Sequence, residues 1–119
     1  MPGRPGKLVL GSRQSAGFAV VLVTAPDLRT ARRLATVLVR TRLAACVNII
    51  PNLESHYTWK GKVEKAREVL LVIKTRRSRL SALWISVQNA HPYETPEFLV
   101  LSVAGGSSDY LAWLSASTA

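Results

Sequence analysis

One histidine and two glutamates late in the chain offer the most direct chemistry. They fall in His91-Pro92-Tyr93-Glu94-Thr95-Pro96-Glu97, a connection stiffened by two prolines. Imidazole suits copper, zinc or nickel, and nearby carboxylates could complete a coordination sphere. His91, Glu94 and Glu97 are therefore the candidate metal ligands. One histidine with spaced carboxylates is not a ligand-spacing motif. The plainer reading of His91, and the preferred one, is a cap on the preceding helix or a hydrogen bond to a neighbouring subunit.

Other reactive types are scattered. Cys46 lies in an apolar run with nothing nearby in sequence to lower its pKa, so it reads as a small buried hydrophobe. His56 alternates with Ser55 and Tyr57 and reads as a surface or interface residue. Tyr57 and Trp59 are two apart, so they share one face of a strand. Interface packing is the first reading of that pair. The sharper one is a small-molecule cleft between subunits, in which an aromatic wall with Trp59 meets Lys74, His91, Tyr93 and Glu97. No Gly-rich phosphate loop, Ser-His-Asp order or paired-carboxylate motif is present, so the chain is not read as an enzyme.

Composition bounds the classes. The chain has 119 residues, 48% hydrophobic and 19% charged, which suits one domain with a real core. The single cysteine excludes an intramolecular disulfide and a Cys-rich zinc module, and a cytoplasmic location fits best. No apolar run approaches the ~20 residues of a membrane span, so no membrane partner is expected. The net charge of +9 invites a nucleic-acid reading, with Arg29, Arg33 and Arg40 on one helix face. RNA-recognition domains stack bases on aromatics of central strands. The equivalent strands offer only Phe18, which argues against nucleic acid as a partner.

The elements that must position these residues follow from periodicity. Phe18–Val23 is continuously apolar and reads as a central strand. Asp27 or Thr24 can cap the helix that follows, with Leu28, Ala31, Leu34, Ala35 and Leu38 as its apolar stripe. A long β-hairpin runs from Leu43 through a Lys60-Gly61 turn and back along Val63–Lys74. Fifteen residues at ~3.3 Å each would span roughly 50 Å, too long for a compact domain of this size. Pro51 belongs at a bulge or an edge, and the aromatic tip is expected to pack on another subunit. Ser78 can cap a second helix that His91-Pro92 ends. Phe98–Val103 reads as another buried strand, and Ser107 or Ser108 can cap a last helix. Residues 1–17 read as a flexible basic arm and 18–119 as the domain. The order β-α-β-β-α-β-α gives an α+β, ferredoxin-like sandwich with an extra C-terminal helix.

The segments Thr24-Ala25-Pro26-Asp27, Arg42 to Asn48, Ile50-Pro51, Ser55 with Tyr57, Trp59-Lys60-Gly61-Lys62, Ile73-Lys74-Thr75, His91-Pro92-Tyr93-Glu94 with Pro96-Glu97, and Tyr110 to Leu114 together resemble the CutA family of divalent-cation tolerance proteins. The resemblance covers about residues 18–116. It implies a ferredoxin-like subunit in a tight homotrimer, with the hairpin of each subunit extending the sheet of the next. Pro51, Tyr57 and Trp59 become trimer-interface residues. It implies a role in divalent-metal, chiefly copper, tolerance or homeostasis, with metal or small ligands held at clefts between subunits. The alternative is a scaffold or signalling trimer without a metal role. No cofactor is fixed by the residues; copper or another divalent metal is the candidate. Some bacterial members carry a cysteine just before Thr-Ala-Pro and a His-His pair before the proline. This chain has Val23, Ala90 and His91 there, so two of three proposed ligands are replaced.

Overall fold

The computed structural model describes residues 8–11 and 13–119. Strands β1 (Leu8–Leu10), β2 (Phe18–Ala25), β3 (Cys46–Trp59), β4 (Lys62–Arg76), β5 (Leu99–Ser102) and β6 (Gly105–Ser107) are joined by helices α1 (Arg13–Ala16), α2 (Leu28–Arg40), α3 (Leu80–Ala90) and α4 (Ser108–Ser117). The main sheet runs β3-β4-β2-β5, every pair antiparallel. This is the expected ferredoxin-like order, with β2 and β4 central.

One face of the sheet is dry. Val21 and Val23 of β2 and Leu71 and Ile73 of β4 are fully buried against Leu34 and Leu38 of α2 and Leu83 and Val87 of α3. α2 begins at Asp27, whose carboxylate accepts from the Thr30 amide at 2.8 Å. That bond satisfies one of the amides a helix start leaves orphaned, and it holds the Asp27 carboxyl below its ordinary pKa. Ser78 does not cap α3. A short 3-10 turn, Arg77–Arg79, precedes that helix, and its N-cap, Arg79, has no side-chain bond. Ser107 caps α4 by accepting from the Tyr110 amide.

The hairpin is the longest feature and makes the molecule 47 Å long against 26 and 25 Å across. Its turn carries Lys60 at φ 51° and Gly61 at φ 80°, the two left-handed residues of a tight type I′ connection. Pro51 sits at a bulge, as expected. Ile50 pairs with Leu70 and Leu53 with Glu68, so two residues of β3 lie opposite one of β4, and Asn52 takes φ 62°. A proline cannot donate a ladder bond, and the bulge gives it a position where none is needed.

Two expectations change. β5 is not buried: Leu99, Val100 and Leu101 are 56, 42 and 45% exposed. It is a four-residue edge strand bonded only to β2, and register with Val20 and Leu22 puts Leu101 and Leu99 on the face away from α2 and α3. α4 closes only one end of that open face, where Phe18 and Ala45 pack on Leu111 and Leu114. The chain before Phe18 is also not wholly an arm. Leu8–Leu10 pairs antiparallel with Gly105–Ser107, and a side chain at Gly105 would run into the Val9 carbonyl. Residues 1–7 and 12 of the expected arm lie outside the described residues.

Leu34 is 1% exposed at the centre of the α2 contact. Leu34→Ala is expected to cost about 2–5 kcal/mol, read as a lower urea midpoint at unchanged slope.

Candidate functional site

The connection from α3 to β5 is positioned by its first residue. Pro92 disfavours a helical conformation at His91, which is extended (φ −85°, ψ 135°) and ends α3. His91 is 8% exposed. Its Nε2–H donates to the Thr24 carbonyl at 2.7 Å, and its Nδ1 accepts from the Tyr93 amide at 3.1 Å. A carbonyl only accepts and an amide only donates, so this is the neutral Nε2–H tautomer. Both nitrogens are occupied. His91 fastens the loop to the end of β2 and, as folded, presents no lone pair to a metal. Its partners are its own loop and strand rather than a neighbouring subunit.

Tyr93 makes the second tie. Its ring lies 4.8 Å from that of His91, and its hydroxyl donates to Glu68 Oε2 at 2.7 Å. Burial first, then the Glu68 acceptor, push the Tyr93 hydroxyl well above its ordinary pKa. It therefore stays a donor. Glu68 is only 7% exposed. Glu97 lies close enough to feel its charge: burial first, then Glu68, raise the Glu97 carboxyl above its ordinary 4.5. Among the described residues neither glutamate forms an ion pair with a basic side chain. Two carboxylates thus share a partly desolvated place with no built-in counter-charge.

These groups line an open cleft of about 760 Å³. One wall is the outer hairpin, with Tyr57 and Trp59. The other is Pro92–Glu97, with Thr24 and Glu68 between them. Glu94 lies at the exposed side, where Lys60 Nζ stands 3.9 Å from its Oε2 and 5.6 Å from the Trp59 ring centroid.

The sequence-derived residues divide accordingly. Trp59, Tyr93, Glu94 and Glu97 meet in the cleft, with Tyr57 beside them; His91 supports the loop without lining it. Lys74 does not reach the cleft. Register pairs it with Cys46 at the hairpin base, six residues and roughly 20 Å of strand from Glu68. Its ammonium bonds Asn48 Oδ1 and stands 3.9 Å from Cys46 Sγ. Among the described residues no three His, Cys, Asp or Glu side chains come together as a metal-holding group, so His91, Glu94 and Glu97 do not form one. Glu68 and Thr24 were missed. The signal for Glu68 was its place as the last acidic residue before the apolar run Val69–Ile73, where a buried charge needs a reason.

The profile of the CutA1 divalent ion tolerance protein matches residues 19–117. The chain belongs to the CutA1 family. It is similar to the divalent-cation tolerance protein CutA of Pectobacterium atrosepticum, 49% identical over 91% of this chain and 98% of that one. The chloroplastic CutA of Arabidopsis thaliana is 48% identical over 90% of this chain, which spans only 59% of that longer protein. Among solved structures, CutA1 from Oryza sativa superposes with a TM-score of 0.85 at 45% identity, covering 89% of this chain and 97% of that one. The periplasmic divalent cation tolerance protein CutA of Archaeoglobus fulgidus gives 0.83 at 33% identity, covering 86% and 99%. These relatives overturn the cytoplasmic expectation. With chloroplastic and periplasmic members, CutA1 membership carries no cytoplasmic address.

The Glu97 shift has a sign that can be tested. A carboxyl with a raised folded-state pKa favours folding fully below its unfolded value of 4.5, and that benefit fades as pH rises through the raised value. Glu97→Gln removes the charge penalty. Its thermal midpoint should exceed that of the parent at about pH 7, with the gain shrinking below about pH 4. A lower midpoint at neutral pH, measured by scanning calorimetry, would contradict this account.

Proposed function

We propose that this chain acts in divalent-cation tolerance as a homotrimer and binds its metal or small ligand in the cleft between the outer hairpin and the Pro92–Glu97 loop. The observation that carries the reading is the Glu68–Glu97 pair: two carboxylates, one almost wholly buried, with no basic partner among the described residues. A cation supplies the missing charge. Oxygen ligands suit a divalent ion, and Glu94 lines the exposed side of the same cleft. His91 contributes by fixing the loop that carries Tyr93, Glu94 and Glu97. No catalytic role is assigned.

The trimer is supported by surface that one subunit leaves bare. Ile50, Leu99 and Leu101 are 45, 56 and 45% exposed, beyond the area that α4 covers. Pro51 is exposed at the bulge, and Tyr57 and Trp59 are 44 and 39% exposed near the tip. An apolar sheet face of this kind marks an interface. The basic face of α2 remains outward, and Phe18 is buried beneath α4, so it offers no base-stacking surface.

Calorimetric titration with Cu(II) should show saturable binding that weakens by about tenfold in Glu97→Gln, as expected on losing a charged ligand. Unchanged affinity would remove the carboxylate pair from the account. Light scattering should return a mass near three times the 13.0 kDa chain, and a monomer at micromolar concentration would exclude the trimer.

A further inference from the structure

The cleft has more features than a bare ion needs. A small divalent ion asks for several converging donors, and no three such side chains meet among the described residues. The volume of about 760 Å³ is that of a site for a molecule. Tyr57, Trp59 and Tyr93 give it aromatic surface, which a hydrated metal ion cannot use. Glu68, Glu94 and Glu97 give it negative charge, and they are three of only seven acidic residues in a chain of net charge +9. Among the described residues no lysine or arginine lines its interior, and Lys60 stands at the rim beside Glu94. A basic protein that gathers its scarce acids in one aromatic cleft has built a place that attracts positive charge against its own overall field.

We propose that the cleft binds an organic cation, an ammonium group carried on a hydrocarbon body. The head lies toward Glu68 and Glu97, and the body lies along Trp59 and Tyr57. The inference rests on reading this cleft as the ligand site, and it names the ligand class. The chain already stages the contact at the rim. Lys60 places its own ammonium against the Trp59 ring, 5.6 Å from the centroid, and beside the Glu94 carboxylate at 3.9 Å. Aromatic faces attract such heads through their quadrupole. A neighbouring carboxylate adds the charge, while the remaining ring surface takes the hydrocarbon. Tyr93 holds Glu68 in place by its 2.7 Å bond, and Glu68 lines the cleft between the two walls.

The test uses the full chain and n-butylammonium, with n-butanol as its neutral counterpart and butyrate as the anion, by calorimetric titration at fixed ionic strength. Butylammonium should bind saturably, and butanol and butyrate about tenfold more weakly or not at all. Glu68→Gln should lower butylammonium affinity about tenfold and Trp59→Leu about fivefold. Glu97→Gln, at a less buried position, repeats the test should Glu68→Gln fail to fold by circular dichroism. Butanol binding as tightly as butylammonium, or butylammonium affinity unchanged in the folded glutamine variant, would overturn the proposal. Cu(II) titration of the same proteins separates the two readings. Copper binding without butylammonium binding overturns the organic cation and leaves the metal role standing. Butylammonium binding without copper binding does the reverse. Binding of neither removes the cleft as a cation site and overturns both.

Discussion

The bulge at Pro51-Asn52 is the constraint on which the architecture turns. Below it, β3 belongs to the body: Val47 and Ile49 pack on the core beside α2. Above it, the same strand carries Tyr57 and Trp59 into a wall opposite the Pro92–Glu97 loop. One extra residue on β3 resets the pairing so that Leu53 faces Glu68. A bulge also bends and twists the strand that bears it. Without it, the outer hairpin would continue in the register of the base, and the aromatic wall would not stand where it does. The site is thus a product of a local break in the ladder, placed where proline makes an unbroken ladder impossible.

The opposite wall is fixed by side chains rather than by a sheet. One hydrogen bond donated by His91, one it accepts from the Tyr93 amide, and one from the Tyr93 hydroxyl to a carboxylate hold an irregular segment with little core of its own. Buried polar groups of this sort are costly unless every member is satisfied. These are, and the result is a rigid rim without regular secondary structure. The cost that remains is the like-charged pair, which a ligand of the right sign would relieve. Stability given up at such a point is a common mark of a binding surface.

Much of this was legible beforehand, and the boundary of what was legible has a physical cause. Periodicity found β2, α2, the hairpin and α3, because each buries a face whose spacing is written locally. Pro51 announced the bulge, and His91-Pro92 announced the end of α3. What failed depended on pairing partners. Phe98–Val103 is as apolar as β2, and only its place at the sheet edge leaves Leu99 and Leu101 bare. Lys74 joined the expected cleft because its type suited it, yet register sets it at the hairpin base beside Cys46. Glu68 was overlooked because its hydrogen-bond partner, Tyr93, lies twenty-five residues away. His91 was singled out for its type and its place before a proline, but its two bonds reach Thr24 and Tyr93, and no spacing rule foretells them.

The small sheet of β1 and β6 has a bearing on how the chain can vary. Gly105 lies so close to the Val9 main chain that no other residue fits while β1 is in place. The two positions are ninety-six apart in sequence, yet the freedom of one depends on the presence of the other. Relatives that dispense with a strand at Leu8–Leu10 would be released from glycine at the position equivalent to 105. Relatives that keep the strand would not. A single residue near one end of the domain thus records whether the other end is dressed with an extra strand, and that correlation can be read across sequences without solving another structure.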